Sequence, residues 1–453
     1  MTFLPNYFLT NLNHNCKMTN FKFIPLITVL SLIISCSGDD DPVIEYVTIT
    51  ETVTETETVQ LEVDEYADST LKGKITSDKT LDASKVWLLK GRVSVESGST
   101  LTIPAGTIIK AASGTGADAS TLIIARGAKI IADGTADAPI IMTSVSDNIE
   151  VGGTYPSSGP ALGVTTRGLW GGMLILGNAP CSFSGDVTEL QIEGIPTSDT
   201  NGLYGGSDAA DNSGSVQYLS IRHGGAEIGE GNEINGLTLG GVGSGTKINH
   251  VEVVANVDDG IEFFGGTVNA TNLLVWGQGD DAIDIDQAYA GTIDGAMVIL
   301  TDASDHGFEV DGPEGSAAGS FTLKNATVLG ATKACSALGV NGEMADFRKA
   351  ATGNLSNILF KDFSGGKDVE LDASADAASY TAGTLTFANI DIMHPVSDGA
   401  VCSNVETLDK IFDDKSDEST FEADASTFAE VVTEQQTGNG VDASIFSWTF
   451  YAR

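Results

Sequence analysis

Basic residues are scarce in this sequence. Only 23 of its 453 residues are Lys or Arg, against 62 Asp or Glu, and the formal net charge is −39. Proteins that bind nucleic acid by neutralising phosphates need a basic surface, and so do proteins that bind anionic lipid through charge. The composition excludes both classes. The apolar fraction of 41% is too high for a disordered acidic chain, so we expect a folded domain.

Cysteine and long apolar runs are scarce as well. The chain has 5 Cys, and beyond residue 36 only Cys181, Cys335 and Cys402 remain, at spacings that match no metal motif. Two alternatives stay open for these residues: a Cys335–Cys402 disulfide, or buried free thiols. The apolar run Ile24–Ile34 is too short to span a bilayer.

The N-terminal residues are predicted to be a signal peptide, residues 1–35, with translation starting at Met18. The segment Leu32–Cys36 resembles a bacterial lipoprotein signal, which implies that Cys36 is lipidated and becomes the mature N-terminus. The acidic run Ser37–Asp41 resembles the surface-export signal of Bacteroidetes lipoproteins. These resemblances imply a cell-surface protein held in the outer membrane by lipid alone, with residues 36–70 as an acidic tether. The alternative is a cleaved secretory signal followed by an acidic linker.

A short phrase recurs through the body of the chain. Clear copies begin at residues 259, 281 and 306, with fainter ones at Asn235–Leu239, Ser336–Val340 and Lys367–Leu371. Apolar and polar residues alternate in each copy, which is the pattern of a half-buried strand. This repeat predicts an all-β fold, a single right-handed parallel β-helix, and the chain resembles the pectate-lyase-like β-helix superfamily over about residues 75–400. A β-propeller is the alternative, but its blades need about 40 or more residues each.

The predicted domain boundaries follow from where the repeat begins and ends. We assign residues 71–402 to the β-helix and residues 403–453 to a C-terminal cap, because the core of a β-helix is open at its ends. Short helices are predicted at Leu408–Phe412 and Thr427–Thr433. Residues 145–167 and 179–213 are rich in Gly, Ser and Asp and are predicted to be surface loops.

Acidic residues fall into columns when the copies are aligned. Between Lys247 and Lys324 the chain has fourteen carboxylates and no Lys or Arg. Close like charges raise carboxylate pKa values, and hard cations such as Ca²⁺ bind six to eight oxygens. The alternative is that Asp suits β-helix turns and that the outward acids face water. The predicted ligand or metal residues are Asp258, Glu262, Asp284, Asp286, Asp305, Glu309 and Asp311, and Glu370 shares the outward strand position of Glu262.

Three turns also resemble the motif order of family 28 glycoside hydrolases, the polygalacturonases: an Asp–Gly, then a Gly–Asp–Asp, then an Asp–His–Gly. The resemblance implies that Asp259 and Asp280 activate water, that Asp281 is the general acid and that His306 supports them. Such paired carboxylates suit inverting hydrolysis. The Arg-x-Lys of that family is absent from residues 332–342, where Lys333 is the only base.

The resulting hypothesis is a cell-surface lipoprotein whose β-helix binds an extracellular ligand, a neutral or cation-bridged polysaccharide, with Ca²⁺ and no organic cofactor. One alternative is an inverting glycoside hydrolase of polygalacturonase-like type, and another is a structural surface protein or adhesin. Whether the chain is an enzyme stays open, as does an outer-membrane transporter partner. A fold alone does not fix a function.

Overall fold

The computed structural model describes residues 66, 68–152, 162–227, 234–330, 342–397 and 399–450. The strands of the N-terminal part are β1 (Thr70–Ile75), β2 (Lys79–Thr80), β3 (Val86–Val95), β4 (Thr100–Pro104), β5 (Ile108–Ala111), β6 (Thr121–Ile124), β7 (Lys129–Asp133), β8 (Ile140–Ser144), β9 (Met173–Leu176), β10 (Leu190–Gln191), β11 (Leu203–Tyr204), β12 (Gly214–Arg222), β13 (Leu237–Gly240) and β14 (Lys247–Val254).

The remaining strands are β15 (Ile261–Phe264), β16 (Asn269–Trp276), β17 (Ile283–Asp286), β18 (Thr292–Ile299), β19 (His306–Asp311), β20 (Phe321–Leu329), β21 (Glu343–Arg348), β22 (Gly353–Lys361), β23 (Val369–Leu371), β24 (Leu385–Met393), β25 (Val396–Ser397), β26 (Ala400–Val401), β27 (Phe412–Asp414) and β28 (Ala429–Val431). The helices are α1 (Ser374–Thr381), α2 (Leu408–Ile411) and α3 (Phe421–Phe428), and short 3-10 turns lie at Gly116–Asp118, Ser184–Asp186, Thr200–Gly202 and Ala443–Phe446.

Twenty-four of the strands form one parallel sheet that winds into a right-handed β-helix with three faces. Face A is the ladder β6, β9, β13, β15, β17, β19, β21, β23 and β27. Face B begins with β4 and β7 and continues through the first halves of seven long strands, β12, β14, β16, β18, β20, β22 and β24. Face C contains β5, β8, the second halves of the same seven strands, and β28. The predicted fold class is confirmed.

Alternating side chains along each strand fill the interior of the β-helix. On face A, Ile261 lies beside Ile283, which lies beside Phe308, and all three are fully buried. The inward column two residues later continues the same core through Phe263 and Ile285. Burying one such side chain contributes roughly 1.5–3 kcal/mol, so the stacked columns hold successive coils together.

Faces B and C meet at a corner that requires left-handed backbone. In successive long strands the corner residue has a positive φ, and four of these corners are Asn272, Asn325, Asn357 and Asn389. Asparagine tolerates this conformation better than most residues. The Asn389 amide donates to Asn357 Oδ1 at 3.0 Å, and the Asn357 amide donates to Asn325 Oδ1 at 3.0 Å. The corner is therefore a hydrogen-bonded ladder along the axis.

The insertion at residues 179–213 is more than a surface loop. Its side chains Phe183, Ile192 and Tyr204 are buried against outward residues of face A, including Leu174 and Phe264. The short antiparallel pair β10 and β11 lies within it. The insertion thus covers the outer surface of face A as far as β15, because apolar residues occupy the outward positions there.

The C-terminal residues complete the last coil and then turn back. Strands β27 and β28 extend faces A and C, and the rings of Phe412, Phe421 and Phe428 cover the end of the core. The helix predicted at Leu408–Phe412 corresponds to α2. The helix predicted at Thr427–Thr433 is wrong: α3 ends at Phe428, and residues 429–431 pair with β24 instead.

The N-terminal predictions, including Cys36 and the tether, lie outside the described residues apart from Tyr66 and 68–70. Cys402 is disulfide-bonded. Because Cys335 lies outside the described residues, the Cys335–Cys402 pairing stays a prediction. Cys181 is a free thiol, and burial raises its pKa to about 12. No helix in the described part of the chain combines the length and the apolar character that crossing a bilayer demands.

Candidate functional site

Outward-pointing acids form a column along face A. Backbone pairing places Glu262 beside Asp284, and Asp284 beside Glu309. Asp346 follows on β21, and Glu370 follows on β23. The predicted column is confirmed for four of these five residues. Asp346 was missed because the repeat pattern pointed to residues 336–340, which lie outside the described residues, whereas the next strand of the ladder is Glu343–Arg348.

Most of the predicted site residues are buried. The acids with less than a tenth of their surface exposed are Asp259, Glu262, Asp281, Asp284, Glu309 and Asp311. Asp258, Asp286 and His306 are half-buried, and Asp280 and Asp305 are exposed. The alternative that these acids simply face water is therefore wrong for the six buried residues. Because burial disfavours the charged form, something must offset the charge of each buried carboxylate.

The first group of carboxylates lies on face A at the edge of the surface that the insertion covers. We call these residues, Asp259, Glu262 and Asp284, the buried triad. One oxygen from each lies within 4.8 Å of the others. The amide of Asn235 donates to Glu262 Oε2, and the backbone N–H of Asp281 donates to Asp259 Oδ1 at 2.9 Å. Asp284 Oδ1 is buried and has no hydrogen-bond partner.

The electrostatics of the buried triad are unfavourable to three negative charges. Burial raises the pKa of Asp259, Glu262 and Asp284 well above the ordinary value, and the neighbouring carboxylates raise it further. No salt bridge among the described residues reaches any of the three. Either protons or a cation must offset the charges at neutral pH.

A second group of acids, at the surface, shares one residue with the buried triad. Oxygens of Asp258, Asp259 and Asp280 lie within 4.8 Å of one another. Burial raises the pKa of Asp280, and the charges of Asp281 and Asp305 raise it further. Because Asp280 is exposed, a group bound here could contact both the protein and a ligand in solvent.

His306 lies against Asp281 rather than in open solvent. Its Nδ1–H donates to Asp281 Oδ1 at 2.8 Å, and its backbone N–H donates to the same oxygen at 2.8 Å. Burial alone would lower the pKa of His306, but the hydrogen bond and the charge of Asp281 outweigh it and raise the pKa to about 9. His306 is therefore protonated near pH 7, and its Nδ1 also lies 3.8 Å from Glu309 Oε2.

Basic residues from outside the stretch between Lys247 and Lys324 reach the column from later coils. Arg348 on β21 bonds to Glu309, and its Nε donates to Asp311 Oδ1 at 2.7 Å. Lys349 bonds to the other oxygen of Asp311. Burial opposes ionisation of Asp311, yet these two bases hold its pKa below the ordinary value. Burial and Asp281 raise the pKa of Glu309 to about 8.

The end of the column nearest the C-terminus is also supplied with a base. Lys415 Nζ lies 2.8 Å from a carboxylate oxygen of Glu370 and 2.8 Å from one of Asp413. Burial raises the pKa of Asp346 to about 7, and burial followed by the charge of Asp311 raises that of Asp286 to about 7. Bases thus contact Glu309 and Glu370, whereas no salt bridge of the described residues reaches Asp346 or the buried triad. The buried triad differs from Asp346 because three carboxylates lie together there.

Two clefts lie elsewhere, between β24 and α3. They have volumes of about 320 and 380 Å³ and share Phe387, Thr427 and Phe428. Their walls include no residue of the acidic groups described above.

Comparison with known proteins gives one family. The model of the family described as the pectate-lyase-like β-helix domain matches residues 73–451. Neither the curated proteins nor the solved structures give a significant match. The matched range begins within β1 and contains all the strands assigned above to faces A, B and C. The chain therefore belongs to the family of pectate-lyase-like β-helix domains.

Proposed function

We propose that this protein binds an extracellular polysaccharide along face A, with a divalent cation, Ca²⁺ in the first instance, at its acidic end. The family match suggests a carbohydrate-related role. The observation that carries the proposal is the buried triad, in which Asp284 Oδ1 has no partner and no base offsets the charges among the described residues. Hard cations prefer such carboxylate oxygens.

The donor set fits a cation in two adjoining places. Asp259, Glu262 and Asp284 would hold it within the face, and Asp258 with Asp280 would hold it at the surface, with Asp259 common to both. The surface place leaves room for oxygens of a ligand because Asp280 is exposed. A cation there would let an acidic flank accept an anionic sugar that it would otherwise repel.

The cellular context is part of the same proposal. Lipidation of Cys36 and an acidic tether of residues 36–70 would display the β-helix on the outer membrane, facing outward. Lipid chains anchor a protein through their buried methylene groups.

Hydrolysis is the second candidate, and one observation favours it. Asp280 is exposed and has a raised pKa, and its carboxylate lies close to that of Asp259, as two residues sharing the activation of a water would. Against it, Asp281 Oδ1 accepts two hydrogen bonds from His306, which leaves the proposed general acid occupied as an acceptor. We therefore rank binding above hydrolysis, and a structural role or adhesin third.

A glycan-array screen of the full chain, run with Ca²⁺ and again with chelator, tests the proposal. We expect binding to a small set of glycans that is lost with chelator. The matched variants are Asp284→Asn, which removes a charge from the buried triad, and Asp302→Asn, which removes one from an exposed turn. Binding that survives both chelator and Asp284→Asn would contradict the cation-dependent proposal.

The same protein distinguishes the alternatives. A hydrolase would release reducing ends from a glycan. Asp281→Asn would abolish this release while leaving the melting temperature of the protein nearly unchanged. A structural protein would show neither release nor glycan binding. Binding without release would support the first proposal alone.

A further inference from the structure

The last described residues run back along the outside of face C. After β28, the backbone N–H of Val432 donates to the carbonyl of Ile392 at 2.9 Å, still at the last coil. Gln436 and Asn439 then donate to the buried carboxylate of Asp391 on β24, at 3.1 and 2.8 Å. We call residues 433–450 the strap.

The strap crosses the strands in the reverse of their chain order. Gly440 N–H donates to the carbonyl of Asn357 on β22 at 3.0 Å, and Val441 N–H donates to the hydroxyl of Thr327 on β20 at 3.0 Å. Phe446 packs with Met297 of β18 and Leu274 of β16. The strap therefore contacts five consecutive long strands before it reaches its anchor.

The anchor of the strap is a set of aromatic contacts on β12 and β14. The Tyr218 and His250 rings stack at 4.3 Å, and Trp448 meets Tyr218 edge-on at 5.4 Å. Trp448 is only 2% exposed. Next to it, the Phe450 N–H donates to Glu252 Oε1 at 2.6 Å, so both ring packing and a hydrogen bond fix this end.

From β24 to β12 the strap spans six inter-strand steps, roughly 29 Å at about 4.8 Å each. In a solenoid each coil otherwise contacts only its neighbours, so coils at one end can open without those further along. A segment tied to both β24 and β12 adds contacts that skip the coils between them. Opening the last coils then requires that the strap detach or that β12 and β14 open as well.

We propose that the strap is a clamp that couples the C-terminal coils to β12 and β14, so that this part of the β-helix opens as one cooperative unit. The clamp is independent of the carbohydrate and cation proposals, because the contacts described above lie on face C and at its corner with face B. Its function is to suppress fraying at the end of the solenoid, where local opening is easiest.

Native-state hydrogen exchange of the full chain, read by mass spectrometry, tests the clamp. In the unsubstituted protein we expect amides of β12, β14, β22 and β24 to exchange through a common opening. In Trp448→Ala we expect amides of β22 and β24 to exchange at least tenfold faster, although the ring contacts of Trp448 lie on β12 and β14. Exchange that rises only in β12 and β14, around the lost ring, would overturn the proposal.

Two further variants keep the test decisive. Phe183→Ala removes a buried ring from the insertion and does not touch the strap, so β22 and β24 should keep their exchange rates. Thr327→Ala removes the hydroxyl that accepts from Val441, and it should speed exchange of β24 by a smaller factor, about threefold. If Trp448→Ala does not fold, an unchanged β24 in Thr327→Ala would overturn the clamp.

Discussion

Among single residues, Asp284 combines near-complete burial with an unpartnered oxygen. It is 8% exposed, its Oδ1 has no hydrogen-bond partner, and one of its carboxylate oxygens lies within 4.8 Å of oxygens of Asp259 and Glu262. Leaving such an atom without a partner costs about 1–3 kcal/mol, more when the group is charged. A proton or a cation would each remove that cost, and only a cation makes stability depend on the metal concentration.

We expect Asp284→Asn to abolish stabilisation by Ca²⁺. The unsubstituted protein should gain about 2.7 kcal/mol at a Ca²⁺ concentration of one hundred times Kd, by mass action. In chelator, the melting temperature of the variant should equal or exceed that of the unsubstituted protein, because one of the mutually repelling charges has been removed. Thermal melts with and without Ca²⁺ measure both effects. Asp302→Asn is the control, and an undiminished Ca²⁺ shift in Asp284→Asn would contradict the assignment.

Arg348 is the second decisive residue, since it contacts both Glu309 and Asp311. We expect Arg348→Met to cost about 2 kcal/mol at pH 8, less than for a fully buried pair because a third of the Arg348 side chain is exposed. Near pH 5 the loss should shrink, because Glu309, whose pKa is already raised to about 8, takes up a proton. Denaturant titrations at the two pH values measure the difference.

The control for Arg348 is its neighbour. The side chain of Lys349 is half exposed and contacts only Asp311 among the described salt bridges. Exposed pairs contribute about 0–1 kcal/mol, so Lys349→Met should cost clearly less than Arg348→Met. Equal losses for the two variants would show that Arg348 is not the main base of the column.

Among the elements, the corner ladder between faces B and C has the most specific sequence requirement. Asn357 has a φ of 57° and hydrogen-bonds to the corner residues before and after it. Holding an ordinary residue in this conformation costs roughly 1–2 kcal/mol. The ladder explains why asparagine recurs at this position through the later coils, and why glycine at position 295 also fits there.

Asn357→Ala should therefore destabilise the protein by about 2 kcal/mol, from backbone strain together with the lost side-chain hydrogen bonds. Asn357→Gly should cost less, because it lacks the Cβ that makes the left-handed region unfavourable. Chemical denaturation gives both values. Asn354→Ala, on the same strand but outside the corner, should be close to neutral; a larger loss there than at Asn357 would refute the role of the corner.

At the scale of the whole molecule, three acids of face A and His306 affect stability in the same direction, opposite to that of Asp311. Their folded pKa values are raised, to about 7 for Asp286 and Asp346, about 8 for Glu309 and about 9 for His306. The folded state thus holds more protons than the unfolded state from about pH 4 upward for the acids, and from about pH 6.5 for the histidine. Stability must fall as pH rises through these ranges.

We expect the melting temperature in chelator to fall by several degrees between pH 5 and pH 8. Added Ca²⁺ should restore much of this loss at pH 8 and little at pH 5, because a metal binds the deprotonated carboxylates. Calorimetry at the two pH values, with and without Ca²⁺, measures it. A Ca²⁺ effect that is larger at pH 5 would contradict cation binding at these acids.

The positions of individual strands and site residues can be predicted from the sequence where successive coils have similar lengths. The coils that begin at residues 259, 281 and 306 keep one register, so alignment places Glu262, Asp284 and Glu309 in a column that the backbone pairing confirms. The irregular segment after Asp311 breaks that offset, and alignment therefore missed β21 and with it Arg348.

Burial could not be predicted from the local pattern, because distant segments produce it. The insertion that packs over face A as far as Phe264 is separated from β15 by about 50 residues, and alternation in a strand does not show what covers its outer side. The strap is a similar case. Its apolar residues are evident in the sequence, but their docking surface on β12 to β24 exists only in the folded solenoid.

The turns that lead from face A to face B have consequences for engineering. The turn after β15 has four residues, whereas nine residues separate β19 from β20, and the long strands nevertheless pair in unbroken register. The number of residues can therefore vary in these turns, whereas it is constant at the corners between faces B and C. A guest peptide grafted between residues 317 and 318, which are exposed and follow the hydrogen bond from the Ser316 N–H to Asp186, would be presented on a rigid scaffold without shifting the coils on either side.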